Sequence, residues 1–210
     1  MNQMNRLHLV LLAFVIVVFI WSVINVQDTY LTWVLEAVPV IIALPILIFT
    51  YKKFKLPTSI YVIIAIHMAL LLVGAHYSYA KVPLGEWMKD WFGFERNNYD
   101  KIGHFMQGFT PALVSVEIIR RCTPLTSFRW ISFFSFCISM TVAAIYEIIE
   151  WLSSLGNPED TEAFLGTQGY IWDTQSDMFM CLCGAVIALL LFRIIHPRLS
   201  KTQTSEGCQS

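Results

Sequence analysis

The stretch DKIGH at residues 100–104 places a carboxylate and an imidazole at the start of an otherwise apolar segment. Asp100 and His104 are four residues apart, about one helical turn, so both side chains lie on one face of a helix. Gly108 continues that face and would let a neighbouring helix or a ligand approach closely. An ionisable side chain costs roughly 2.5 to 3.5 kcal/mol at the centre of a bilayer and less near its surface. We therefore expect these residues to have compensating partners.

The composition is that of a membrane protein. The chain has 210 residues, of which 56% are hydrophobic and 14% are charged, and its mean hydropathy is +0.59. Soluble domains have about 25% charged residues, so an ordinary soluble domain is excluded and an all-α helix bundle in a lipid bilayer is predicted, with no nucleic-acid partner. A spanning helix needs about 20 apolar residues. Six stretches fit: residues 7–26, 30–50, 58–77, 102–119, 130–149 and 178–195.

Basic residues predict the orientation of this bundle. Most of them fall on the side reached by the N-terminus and by every second loop, and that side is therefore cytoplasmic. Both termini are predicted inside the cell, and residues 152–171 are predicted outside. The cytoplasmic set is Arg6, Lys52, Lys53, Lys55, Arg120, Arg121, Arg129, Arg193, Arg198 and Lys201, and the opposite set is Lys81, Lys89, Arg96 and Lys101.

We interpret the first apolar stretch as an uncleaved helix, because it is too long for a signal-peptide core and ends without a small-residue cleavage site. The sequence shows no internal repeat. It predicts one six-helix transmembrane domain over residues 1–199, followed by a short cytoplasmic polar tail over residues 200–210. The cysteines are interpreted as structural, since Cys181 and Cys183 point to different helix faces.

Three polar residues interrupt the second and third apolar stretches. Glu36 either joins a polar pocket or lies at the membrane surface, and both interpretations stay open. His67 is interpreted as a neutral histidine that is hydrogen-bonded to a neighbouring helix. His76, near the outer end of the same helix, is a weak candidate for a metal ligand. Residues 81–99 alternate aromatic and charged side chains, which is typical of an amphipathic segment in the headgroup layer.

Further acids occur where the predicted fifth helix ends and the sixth begins. Glu147 and Glu150 are three residues apart and share a face. Asp173 fits the helix N-cap role that aspartate often fills, while Asp177 repeats the four-residue spacing of DKIGH. Gly184 continues its face and would allow close packing there. The predicted topology brings all the ionisable candidates to one depth on the periplasmic side. They are Asp100, His104, Glu147, Glu150, Asp173 and Asp177.

Three blocks of the sequence resemble one family of membrane proteins. They are DKIGHFMQGF at residues 100–109, AAIYEIIEW at residues 143–151 and LGTQGYIWDTQSDM at residues 165–178. These blocks closely resemble the YjdF family of uncharacterised inner membrane proteins, and the likeness covers nearly the whole chain. A more distant likeness is to the VanZ-like family of small membrane proteins. The resemblance implies an inner-membrane, multi-pass location and a shared polar site, and it implies no activity.

The first hypothesis for this site is a metal-dependent enzyme. One histidine and several carboxylates can hold a divalent cation such as zinc, manganese or iron. A metal-bound water could then support hydrolysis or group transfer on an amphiphilic or lipid-linked substrate. The catalytic residues would be His104, Glu147 and Asp177. The metal ligands would come from Asp100, His104, Glu147, Glu150, Asp173 and Asp177, with His76 as a weak addition.

Two alternatives stay open. Intramembrane carboxylates and histidines also form proton relays, which favours a proton-coupled transporter or a small-molecule-binding membrane protein. The third interpretation is a purely structural polar cluster that holds three helices together. Five acids and one histidine at one depth cannot all be charged and desolvated. We therefore expect bound protons or a divalent cation to neutralise them.

Overall fold

The computed structural model describes residues 5–155 and 168–196, and this part of the chain is all-α. Its helices are α1 (Arg6–Val23), α2 (Tyr30–Thr50), α3 (Thr58–Tyr77), α4 (Pro83–Phe92), α5 (Tyr99–Cys122), α6 (Phe128–Ser154) and α7 (Asp173–Ile195). A 3-10 turn, Tyr79–Lys81, joins α3 to α4. The predicted cytoplasmic tail and most of the predicted outer loop, residues 156–167, lie outside the described residues.

Five of the described helices are long and apolar enough to cross a membrane, namely α1, α2, α3, α6 and α7. They coincide with five of the six predicted spans. The sixth prediction falls within α5, which has 24 residues and is about 36 Å long at 1.5 Å per residue. It is not among the five, because His104, Gln107 and Glu117 interrupt its apolar sequence. A multi-pass helical protein is thus established, while six spans stay a prediction.

Helix α5 is the centre of the bundle. It packs against α3, α6 and α7, while α1 and α2 pack on α3 from the other side. Within the described residues α2 and α6 make hardly any contact with each other. The interior is filled by small and branched side chains with no exposed surface, including Ala37, Val40, Leu72, Ala112 and Val116.

Two glycines set the distance between α5 and α7. A Cβ atom at Gly108 would overlap the Cys181 carbonyl of α7, and a Cβ atom at Gly184 would overlap the Phe105 carbonyl of α5. Helix α6 joins this contact through the Ser139 hydroxyl, which donates a hydrogen bond to the Gly108 carbonyl. The close approach expected at both glycines is confirmed, and it brings the polar first turns of α5 and α7 side by side.

Helix α4 is the amphipathic segment expected before DKIGH. It ends at Gly93, whose φ of 68° is the left-handed conformation that glycine adopts without strain. Trp87, Trp91 and Phe92 are exposed along one side. Exposed tryptophan and phenylalanine on a short amphipathic helix favour a position in the headgroup layer.

A buried asparagine links α4 to the start of α5. The Asn97 side chain donates hydrogen bonds to the Val82 carbonyl and to Glu86, each at 3.0 Å. Its backbone exchanges two hydrogen bonds with the side chain of Gln168, just before α7. These contacts hold the chain on both sides of Arg96, whose side chain contacts acids at the start of α5 and α7.

Candidate functional site

Ionisable side chains from three helices meet where α5 and α7 begin and α6 ends, a region that we term the acidic end. The buried members are at most 9% exposed, and they are Asp100, His104, Glu147, Asp173 and Asp177. The structure thus brings together five of the six residues that the sequence placed at one depth. The sixth, Glu150, is half-buried and lines a neighbouring cavity.

Three of these acids form a paired group, defined as Asp100, Asp173 and Asp177 with the cations Lys101 and Arg96. Lys101 Nζ lies 2.8 Å from Asp173 Oδ1 and 2.7 Å from Asp177 Oδ1. It is also 3.2 Å from Asp100 Oδ2. Arg96 donates to Asp100, and at 2.7 Å to Asp173. Three carboxylates therefore share two positive charges.

Sequence reasoning missed both cations. Protons and a metal were the expected ways to neutralise the acids, whereas Lys101 and Arg96 supply most of the neutralising charge themselves. Arg96 lies four residues before Asp100 but outside α5, so helical spacing did not indicate this ion pair. The N-cap interpretation of Asp173 is wrong, since α7 has Trp172 at its N-cap and Asp173 in its first turn.

The second cluster is termed the His104 group and consists of His104, Glu147 and Asp177. His104 Nδ1 lies 3.6 Å from Glu147 Oε1, and Nε2 lies 3.5 Å from Asp177 Oδ1. Both distances exceed those of an ordinary N–H···O hydrogen bond. Glu147 Oε1 is buried and has no hydrogen-bond partner among the described residues. Such an atom usually carries a proton or faces an ion or ligand.

The His104 group has the donor set of a divalent-cation site. One ligand atom from each of its three residues lies within 4.8 Å of the other two. One nitrogen and two carboxylate oxygens suit zinc, manganese or iron. Asp100, Asp173 and Asp177 form a second such set, but the Lys101 amino group already contacts all three.

Cys181 also lies beside His104. Its Sγ atom is 4.0 Å from His104 Nδ1 and 3.9 Å from Gln107 Oε1, and the residue has no exposed surface. The sequence interpretation of this cysteine was purely structural. Its position on α7, one helical turn beyond Asp177, is the spacing that could have indicated contact with the site.

A cavity of about 400 Å³ lies between α2, α3, α5 and α6. Its wall is mostly hydrocarbon, and His104 is among its lining residues. Ile46 of α2 and Val142 of α6 also line it, although they are 54% and 41% exposed. The cavity therefore opens between α2 and α6 at the outer surface of the bundle. Its polar side chains include Glu36, His67, Tyr79, His104, Tyr146 and Glu150.

The three isolated polar residues of α2 and α3 have different positions. Glu36 is 2% exposed and lines the cavity, so it joins a pocket and does not lie at the membrane surface. His67 also lines the cavity, but its Nε2 atom makes no hydrogen bond to a neighbouring helix within the described chain. His76 Nδ1 instead contacts the Ser22 carbonyl of α1 at 3.2 Å, and its ring packs on Trp21. His76 is in neither group of the acidic end.

Two tyrosines of the cavity had no role in the sequence analysis. Tyr79 lies in the 3-10 turn outside the spans, and burial raises the pKa of its phenol well above the usual range. The hydroxyl group therefore stays protonated at neutral pH. Tyr146 precedes Glu147 on α6 and lines the same cavity.

Comparisons with known proteins agree with this architecture. A family model described as "Predicted membrane protein (DUF2238)" matches residues 7–198. The inner membrane protein YjdF of Escherichia coli (strain K12) is 41% identical over 181 residues, which is 86% of each chain. No solved structure matches. The predicted family and location are confirmed, while the VanZ-like likeness stays a prediction. The chain belongs to the DUF2238 family and is a multi-pass inner membrane protein.

Proposed function

We propose that this protein takes an amphiphile from the bilayer into its cavity and carries out metal-dependent hydrolysis or group transfer at the His104 group. One observation carries the proposal, namely that His104 both lines the cavity and belongs to the cluster with Glu147 and Asp177. A headgroup bound in the cavity would therefore reach the imidazole while its tail lies along the hydrocarbon wall.

The shape of the cavity supports an amphiphilic ligand. Its volume of about 400 Å³ lies in the range of small-molecule sites, roughly 300–1,000 Å³. A tail that leaves the bilayer gains little hydrophobic free energy, because lipid tails are as apolar as the cavity wall. Selection of the ligand would then depend on polar contacts of its headgroup.

Each member of the His104 group has a distinct part in this proposal. Glu147 has a buried oxygen without a hydrogen-bond partner among the described residues, so it would serve as a metal ligand or a general base. Asp177 is held by Lys101 at 2.7 Å, so its carboxylate is oriented before any ligand arrives. His104 stands between these two carboxylates. A divalent cation bound here would activate a water molecule and polarise an ester or phosphate of the substrate.

We further propose six spans in one domain over residues 1–199, both termini in the cytoplasm and the acidic end facing the periplasm. The basic residues support this orientation. Reporter fusions should place residues 51–57 and 120–129 inside and residues 152–171 outside. A reversed pattern, or an odd number of spans, would contradict the proposed periplasmic position of the acidic end.

Elemental analysis of the detergent-purified full chain tests the metal. We expect stoichiometric zinc, manganese or iron in the wild type, and its loss in His104→Ala and Glu147→Gln. His196→Ala is the matched control, because His196 is an exposed histidine at the end of α7, and it should keep the metal. If the wild type takes up none of these ions after incubation, metal-dependent chemistry is excluded.

A second candidate function is proton-coupled transport or small-molecule binding. It is favoured by the ion pairs of Lys101 and Arg96, which neutralise the paired group without any metal. Protons on the remaining acids would then complete the neutralisation. In proteoliposomes this candidate predicts ligand uptake that depends on a pH gradient and changes in His104→Ala. If His104→Ala and Glu147→Gln change neither the metal content nor the uptake, the His104 group is purely structural.

A further inference from the structure

Two acids of the cavity form no ion pair with a lysine or arginine among the described residues. Glu36 of α2 is 2% exposed, and neither of its carboxylate oxygens has a hydrogen-bond partner within the described chain. The Tyr79 backbone N–H and the exposed Lys81 interact with Glu36 at longer range. Glu150 of α6 lines the same cavity as Glu36. No described lysine or arginine lines this cavity, so the two acids lack a directly bound cation.

Two tyrosine rings accompany these acids. Tyr79 and Tyr146 line the cavity together with Glu36 and Glu150. The face of an aromatic ring attracts a cation, and aromatic cages of this kind recognise ammonium groups. Two carboxyl groups and two tyrosine rings line one cavity, so the cavity offers the kinds of group that recognise an ammonium ion.

The backbone adds an acceptor beside the same cavity. Pro111 of α5 lines it and lies inside its helix. A proline has no N–H group, so the carbonyl four residues earlier, at Gln107, which also lines the cavity, has no helical donor. A ligand that donates several hydrogen bonds would satisfy such an acceptor. A primary ammonium group has three donors and no acceptor.

We propose that the polar part of the cavity binds the primary ammonium group of a single-chain amphiphile, between Glu36 and Glu150, with the tail along the hydrocarbon wall. This inference rests on the proposed function, because it assigns a substrate class to the same cavity. An anionic headgroup would face two carboxyl groups without a counter-ion. A neutral headgroup would leave the acids without compensating charge.

Photo-crosslinking of the full chain in nanodiscs tests this inference. The probes are diazirine-labelled dodecylamine, dodecanol and dodecyl phosphate, and labelled peptides identify the site. We expect dodecylamine to label α2 and α6 with a half-saturating concentration at least tenfold below that of the other two. Ethylamine is the competitor that separates a free amine from an amphiphilic one. Displacement by ethylamine at the same concentration as unlabelled dodecylamine would overturn the amphiphile assignment.

Substitution of each acid tests whether the labelling depends on Glu36 and Glu150. Glu36→Gln keeps the shape of the side chain and should raise the half-saturating concentration of dodecylamine at least tenfold. Glu150→Gln should do the same, and it provides a second test if Glu36→Gln does not fold. Asp90→Asn is the matched control, because Asp90 is exposed on α4, and it should bind normally.

The outcomes separate this inference from the proposed function. If all three probes label the cavity equally, an amphiphile site is supported and the ammonium assignment is overturned. If both glutamine variants bind dodecylamine like the wild type, the assignment is also overturned. If no probe labels the cavity, the amphiphile site of the proposed function fails, and the ammonium assignment fails with it.

Discussion

Two sets of acids in the bundle differ in their surroundings. In the paired group, Asp173 and Asp177 each contact Lys101, and Asp173 also contacts Arg96. In the cavity, the Glu36 oxygens make no hydrogen bond within the described chain, and Glu150 lines the same cavity, where no described lysine or arginine is present. The same chemical group thus serves two purposes. Paired acids hold α5 against α7, whereas the unpaired acids mark the place where a ligand would supply the missing charge.

Lys101→Met should cause the largest loss of stability. It would leave three buried carboxylates with Arg96 as their main cation, and removing one partner of a buried ion pair typically costs about 3 to 5 kcal/mol. We expect a loss of about 3 kcal/mol in the free energy of unfolding, measured by denaturation in detergent. Lys89→Met is the matched control, since its amino group lies 3.7 Å from the half-exposed Glu86 and an exposed pair contributes less than about 1 kcal/mol. Equal losses in both variants would show that the paired group is not what holds α5 to α7.

Gly108→Ala should cause the next largest loss of stability. The added methyl group would overlap the Cys181 carbonyl, so α5 and α7 must separate, and overpacking of this kind costs about 1 to 3 kcal/mol. Gly103→Ala is the control, because its Cβ atom would meet only the Tyr79 ring, at 3.2 Å. Thermal unfolding in detergent should show a clearly larger loss for Gly108→Ala. If Gly103→Ala is equally destabilising, the separation of α5 from α7 is not the cause.

Glu36→Gln should have the smallest effect on stability. The substitution removes no hydrogen bond within the described structure, because both carboxylate oxygens lack partners. The free energy of unfolding should change by less than about 1 kcal/mol. Asp177→Asn, which weakens the contact with Lys101, should lose more than Glu36→Gln in the same denaturation experiment. If Glu36→Gln lost more stability than Asp177→Asn, the two sets of acids would not differ as described.

Much of the helical framework could be predicted from sequence, because apolar length and residue spacing are local properties. Five predicted spans coincide with described helices. The four-residue spacings from Asp100 to Gly108 also identified a face that does pack closely on α7. Periodicity reports which side chains share a face, and the chain's few polar faces were therefore visible. Helix α5 is the exception, because its polar site residues lower its hydropathy and hide the apolar stretch that would mark a span.

Partner choice between helices was decided only by the tertiary structure. Spacing predicts the face of a side chain, but the length and direction of a lysine or arginine side chain determine which helix it reaches. Lys101 therefore crosses from α5 to Asp173 and Asp177, although its sequence neighbour is Asp100. His76 contacts the backbone of α1, while Glu36 reaches the cavity from α2. The sequence by itself determined a membrane helix bundle with acids near one end. Only the packing decided which acids received a partner, because buried charges must be compensated by whatever lies across the helix interface.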